Sequence, residues 1–152
     1  MIKILPFNDT NKEHIKILNY EWLQKYFFVE ENDVLQLSNP QEEIIEKGGK
    51  IYYATLNEEI VGTSTLMKVS ETEYELAKMA VTQKAQGVGI GKILLEHCIH
   101  EAKNMGAKKL SLFSNTKLAA AIKLYVNYGF IETELPAHIH YERANIKMEK
   151  KL

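Results

Sequence analysis

The sequence predicts a single α/β (α+β) domain spanning residues 1–152, a mixed and mostly antiparallel sheet with helices on both faces. Three observations predict it. Strand-like segments fill residues 50–81, and a helical period takes over across 89–104, before a further strand at 109–113. That strand–helix–strand unit requires a parallel pair joined by a right-handed crossover. Hairpin-like runs before and after it require antiparallel pairing elsewhere.

The elements follow in order. Ile2 to Leu5 is a short strand stopped by Pro6, and Asn8, Asp9, Thr10 and Asn11 offer helix N-caps. Ile15, Leu18, Trp22 and Phe27 recur at roughly helical spacing, which predicts a helix to about Tyr26. Glu30, Glu31, Asn32 and Asp33 read as an acidic loop. Asn39-Pro40 opens a second short helix that Gly48-Gly49 ends. Strands Lys50 to Leu56 and Glu59 to Val69 flank an Asn57-Glu58 turn, and Glu73 to Val81 follows. A helix from about Gly89 to Asn104, a strand Lys109 to Phe113 and a helix Leu118 to Tyr128 come next. Strands Phe130 to Glu134 and Ile139 to Met148 close the chain.

Composition narrows the function. The chain has 152 residues, 45% hydrophobic and 26% charged, enough for a core that needs no disulfide or metal. A formal net charge of -1 and a single arginine, Arg143, argue against a nucleic-acid partner. One cysteine, Cys98, fits a reducing compartment, and no apolar run approaches the ~20 residues of a membrane span. The Pro6-interrupted start does not read as a signal peptide, so a soluble cytoplasmic protein is expected. His97 and His100, beside Glu96 and Cys98, lack a third ligand at suitable spacing, so no metal site is expected.

The most informative segment is Gln86-Gly87-Val88-Gly89-Ile90-Gly91-Lys92, between a strand and a long amphipathic helix. Glycines at alternate positions bare successive N–H groups, and the helix adds its unpaired first amides and the positive end of its dipole. The result suits a phosphate or pyrophosphate. A Walker-type loop fails, because Gln86 stands where its first glycine belongs and Ile93 follows Gly91-Lys92. A dinucleotide fingerprint fits poorly, since the glycines fall as G-x-G-x-G and the next strand runs into Ser114-Asn115.

Gln86, Gly89 and Gly91 satisfy a Q/R-x-x-G-x-G/A pattern. Taken with the strand YELAKMAV before it and LAAAIKLYVNYGF after it, the chain resembles the GNAT superfamily of N-acetyltransferases over essentially its whole length. The resemblance implies the GNAT fold, with a central splay in the sheet. It implies acetyl-coenzyme A as acetyl donor, its pyrophosphate gripped by Gln86, Gly87, Val88, Gly89, Ile90, Gly91 and Lys92. It further implies an oxyanion donor from the backbone of Met79, Ala80 or Val81 and a thiolate contact from Tyr125, within Leu124-Tyr125-Val126-Asn127-Tyr128-Gly129-Phe130. Glu75 matches the position of a basic glutamate in some members, and Asn115 is set to reach the pantetheine arm. Leu118 stands where many relatives carry an asparagine.

Direct transfer to an amine needs a base for the ammonium proton and an acid for the leaving thiolate. Glu75 and Tyr125 are the candidates. Aromatic residues Tyr20, Trp22, Tyr26, Phe27 and Phe28, with Glu30, Glu31 and Asp33, suit a small cationic amine, although core packing accounts for them equally well. Tyr141, Arg143 and Asn145 are expected to share a polar strand face bordering that site. His138 and His140 read as alternating residues on a sheet surface. The acceptor is a small-molecule or protein amine, and the exposed closing strands suit a homodimer. A non-catalytic acyl-coenzyme A sensor and a nucleotide-binding module are the alternatives.

Overall fold

The computed structural model describes residues 1–139 and 141–152. The strands are β1 (Ile2–Pro6), β2 (Lys50–Leu56), β3 (Glu59–Lys68), β4 (Glu73–Val81), β5 (Lys109–Ser114), β6 (Ile131–Thr133) and β7 (Ile146–Lys151). The helices are α1 (His14–Tyr26), α2 (Glu31–Ser38), α3 (Ile90–Asn104) and α4 (Ala119–Asn127). All strands join one sheet in the order β1-β2-β3-β4-β5-β7-β6, antiparallel throughout except for the parallel β4–β5 pair.

Strand alternation divides the core between the two faces. Ile51 and Tyr53 of β2 pack with Ile15 and Leu23 of α1 and Leu37 of α2. Tyr52, Leu66, Tyr74 and Leu76 turn the other way, onto Leu95, Cys98 and Ala102 of α3 and Tyr125 of α4. A Cβ on Gly62 of β3 would lie 2.9 Å from Ile90 Cγ2, so this glycine lets the start of α3 sit directly on the sheet.

Two irregularities in β4 make the site. Its parallel ladder with β5 runs only through Glu73↔Lys109, Tyr74↔Leu110 and Glu75↔Ser111. Beyond Glu75 the strands part, which leaves the β5-facing main chain of 76–81 without a strand partner. On its other edge, the register with β3 shifts between Thr63↔Ala80 and Thr65↔Ala77. Two residues of β4 therefore oppose one of β3, a β-bulge, and Lys78 within it holds φ at 53°.

Three sequence expectations need correction. Residues 30–33 are not a loop: Glu30 caps α2, and the Glu30 and Asp33 side chains complete a reciprocal capping box. The segment after Asn39-Pro40 is a five-residue π-type turn, Gln41–Ile45, and not a regular helix. The last strand starts at Ile146 instead of Ile139, so His138, Tyr141, Arg143 and Asn145 lie before it. His140 lies outside the described residues.

Candidate active site

The splay between β4 and β5 opens a cavity of about 580 Å³. Its floor is Glu75 through Val81 of β4 and Leu112 through Asn115, with α4 and Tyr125 on one side. Trp22, Tyr26 and Phe27 at the end of α1, with Tyr141 and Arg143, form the other. Gln86 also lines it, and the glycine loop continues from Gln86 into α3. Sequence-predicted residues Glu75, Met79, Ala80, Val81, Gln86, Asn115 and Tyr125 thus meet on one cavity.

The glycine loop leaves its main chain open. Gly87 and Gly89 hold φ at 84° and 89°, the left-handed region that glycine enters without cost to a Cβ. Added Cβ atoms on Gly87, Gly89 and Gly91 would meet nothing within 4 Å. Among the described residues no protein acceptor takes the amides of 87–92, and α3 opens with the bond from Ile93 N–H to Gly89 O at 3.1 Å. No side chain caps the helix, and its first turn carries no acid. The Ile90 side chain is buried in the core, so only its amide is offered, whereas Val88 and Lys92 are exposed. Gln86 Nε2 donates to Val81 O at 3.1 Å, tying the loop back to β4.

Two titratable groups are tuned by the cavity. Tyr125 is 8% exposed, edge-on to Phe130 at 5.9 Å, and burial pushes its phenol up to about 12. Glu75 is 7% exposed. Burial, with Glu73 adding to it and Lys78 and Lys147 opposing, raises its carboxyl to about 7. Asn115 borders the cavity, but its amide is engaged: Nδ2 donates to Arg143 O at 2.7 Å and Oδ1 accepts from Lys117 N–H at 2.9 Å. These two bonds brace the cavity wall at the end of β5.

The acidic residues near α2 do not form an open cation trap. Arg143 Nη1 donates to Glu30 Oε2 at 2.8 Å and Asp33 Oδ2 at 2.6 Å, and Nη2 to Asp33 Oδ1 at 3.0 Å. Lys78 Nζ donates to the same Asp33 oxygen at 2.7 Å. Burial acts to raise Asp33, but hydrogen bonds and charge from Arg143 and Lys78 outweigh it and hold the carboxyl below its usual range. Arg143 also lies 4.4 Å over the Tyr141 ring and 5.8 Å over Trp22. Of the predicted acceptor-side aromatics, Trp22, Tyr26 and Phe27 reach the cavity, Tyr20 is half-buried on α1 against the core cluster of Ile15, Leu23 and Tyr53, and Phe28 is exposed. Asn145 bonds Thr116 instead.

Other singled-out residues have structural partners. Cys98 is buried against Ser64, with its thiol pushed up to about 12 by burial. His97 stands edge-on to Tyr52 at 4.5 Å, His100 faces Asn104, and Tyr128 donates to Glu96 Oε2 at 2.8 Å. Asn19, fully buried in α1 and bonded to the carbonyl of Lys78, escaped the sequence reading, because nothing in the helical period distinguishes a polar residue facing the sheet.

The model of the Acetyltransferase (GNAT) family matches residues 17–130, from mid-α1 to the end of α4 and Phe130. The chain belongs to the GNAT acetyltransferase family. This GNAT domain is similar to the uncharacterized N-acetyltransferase YvbK of Bacillus subtilis (strain 168), 29% identical over 101 residues. That match covers 64% of this chain and 65% of YvbK, so it spans just under two thirds of the relative's length. A GNAT-family acetyltransferase of Staphylococcus aureus Mu50 superposes with a TM-score of 0.88 at 25% identity, over 99% of both chains. The PaiA N-acetyltransferase of Thermoplasma acidophilum, solved with coenzyme A, shares the fold at TM-score 0.76 and 17% identity, over 100% of this chain and 99% of that one. No helix among the described residues is long and apolar enough to cross a membrane.

Proposed function

We propose that this domain is an acetyl-coenzyme A-dependent N-acetyltransferase that moves the acetyl group directly to a primary amine in a ternary complex. One observation carries the reading: a run of unclaimed amides at 87–92 leads straight from a cavity lined by a carboxyl near neutrality and a buried phenol. The amides suit the diphosphate, with α3 adding its dipole. The narrow splay between β4 and β5 suits the pantetheine arm and thioester.

Each group then has one task. An alkylamine of pKa about 10.4 is protonated at neutral pH and cannot attack until a proton leaves. Glu75, raised to about 7, is ionised in a useful fraction near neutral pH and takes that proton, directly or through water. The amine nitrogen attacks the thioester carbonyl carbon, and the β5-facing amides of Met79 to Val81 take the negative charge that develops on oxygen. As the oxyanion collapses and the C–S bond breaks, Tyr125 donates its proton to the sulfur. The extra proton of the attacking nitrogen, made acidic by the new bond, passes through water to the phenolate and leaves a neutral amide and a neutral phenol. The high pKa of Tyr125 does not disqualify it, because the dry cavity that lifts the phenol also lifts the thiol.

The test is a thiol-release assay with acetyl-coenzyme A and a panel of amines. Amine-dependent release of free coenzyme A is expected. Tight coenzyme binding without release from any amine points to an acyl-coenzyme A sensor. Preference for ATP or NAD over coenzyme A points to a nucleotide-binding module.

A further inference from the structure

We infer that Asn19 is a positioning residue for acetyl transfer, holding the 78–79 peptide so that the Met79 N–H is aimed at the acetyl oxygen. The inference rests on the acetyltransferase reading and adds a residue to it. Asn19 sits inside α1 at 0% exposure, where an amide is costly unless its bonds are made. Nδ2 donates to Ile15 O at 2.9 Å and to Lys78 O at 3.1 Å, and Oδ1 accepts from Trp22 Nε1 at 3.2 Å. Two of these partners belong to α1 itself. The third, 59 residues away, is the carbonyl of the bulge residue.

Lys78 holds a positive φ of 53°, which a side-chain-bearing residue keeps only when its surroundings enforce it. Here both ends are gripped. The carbonyl accepts from Asn19, and the ammonium donates to Asp33 at 2.7 Å, which Arg143 holds in turn. The peptide bond is trans and planar, so the Met79 N–H points opposite to the Lys78 carbonyl. A carbonyl drawn toward α1 turns that N–H away from α1. Met79 lines the cavity where β4 has lost its β5 partner. A donor in such a place acts through direction, because hydrogen bonds weaken steeply as they bend.

The discriminating experiment uses acetyl-coenzyme A labelled with ¹³C at the thioester carbonyl. Bound to the wild-type domain, its infrared carbonyl stretch should fall below the value in solution. Asn19→Leu keeps the approximate volume and loses the donor. It should abolish most of that downshift and lower kcat about a hundredfold, with the coenzyme dissociation constant within threefold by calorimetry. An unchanged downshift overturns the inference, even if kcat falls, because the residue then serves only structure. Should Asn19→Leu not fold, Asn19→Asp, whose carboxylate cannot donate, is read by the same two measurements. A wild-type domain that binds no acetyl-coenzyme A, or releases no thiol, defeats the acetyltransferase reading itself. A wild type that passes both, beside a variant with normal polarisation, defeats only the role of Asn19.

Discussion

Replacing Glu75 by glutamine separates two consequences of one buried carboxyl. Burial lifts this group from 4.5 to about 7, so the folded chain binds its proton more tightly than the unfolded chain does. Between those values the folded state holds more protons, and stability is lost as pH rises through the folded value. At 1.36 kcal/mol per unit, the shift of about 2.5 units makes ionised Glu75 cost about 3 kcal/mol above neutrality. At pH 5 the same linkage gives about 1 kcal/mol, and at pH 8 nearly the whole amount. Glutamine keeps the shape and cannot ionise. Urea unfolding at the two pH values should therefore show Glu75→Gln gaining about 2 kcal/mol on the wild type between pH 5 and pH 8. In the same variant kcat/KM should fall about a hundredfold or more and lose the rise with pH that the wild type shows near 7. A stability difference that does not change with pH would refute the buried, raised carboxyl. An activity profile still rising near 7 would remove Glu75 from proton transfer.

Further outcomes follow from the same geometry. Tyr125→Phe should lower turnover about a hundredfold while leaving coenzyme affinity within a few-fold, measured by steady-state kinetics and calorimetry. Gly89→Glu should abolish coenzyme binding in calorimetry, since it sets a side chain at φ 89° and a negative charge among the loop amides. Arg143→Met leaves Glu30 and Asp33 buried without their guanidinium, and should cost about 3 kcal/mol in urea unfolding at pH 7. Asp33, held below its usual range, contributes stability above its unfolded value of 3.8 that is lost as pH falls through the folded value. That acid loss should be smaller in Arg143→Met, as urea midpoints between pH 5 and pH 3 will show.

Sequence sufficed where structure follows from local order. The glycines at 87, 89 and 91 announce exposed amides whatever surrounds them, and the period change from strand to helix fixes the crossover that places them beside β4. The succession of strands, the hairpin at Asn57-Glu58 and the place of Tyr125 on α4 were legible for the same reason: turn chemistry and periodicity act over a few residues. Helix α2 was hidden because its acidic start, Glu30-Glu31-Asn32-Asp33, reads as solvated loop. The Glu30-x-x-Asp33 spacing of a capping box was the signal available.

What only the tertiary structure decided is how charges and strain are distributed. Asp33 and Arg143 are 110 residues apart, and their pairing with Lys78 and Glu30 turns an apparent cation trap into a closed network. The bulge at Lys78, the end of the β4–β5 ladder at Glu75 and the grip of Asn19 are products of strand register and helix docking. Burial moves Tyr125 to about 12 and, with Glu73 adding to it and Lys78 and Lys147 opposing, moves Glu75 to about 7, because a titratable group feels its surroundings and the linear sequence specifies only its identity.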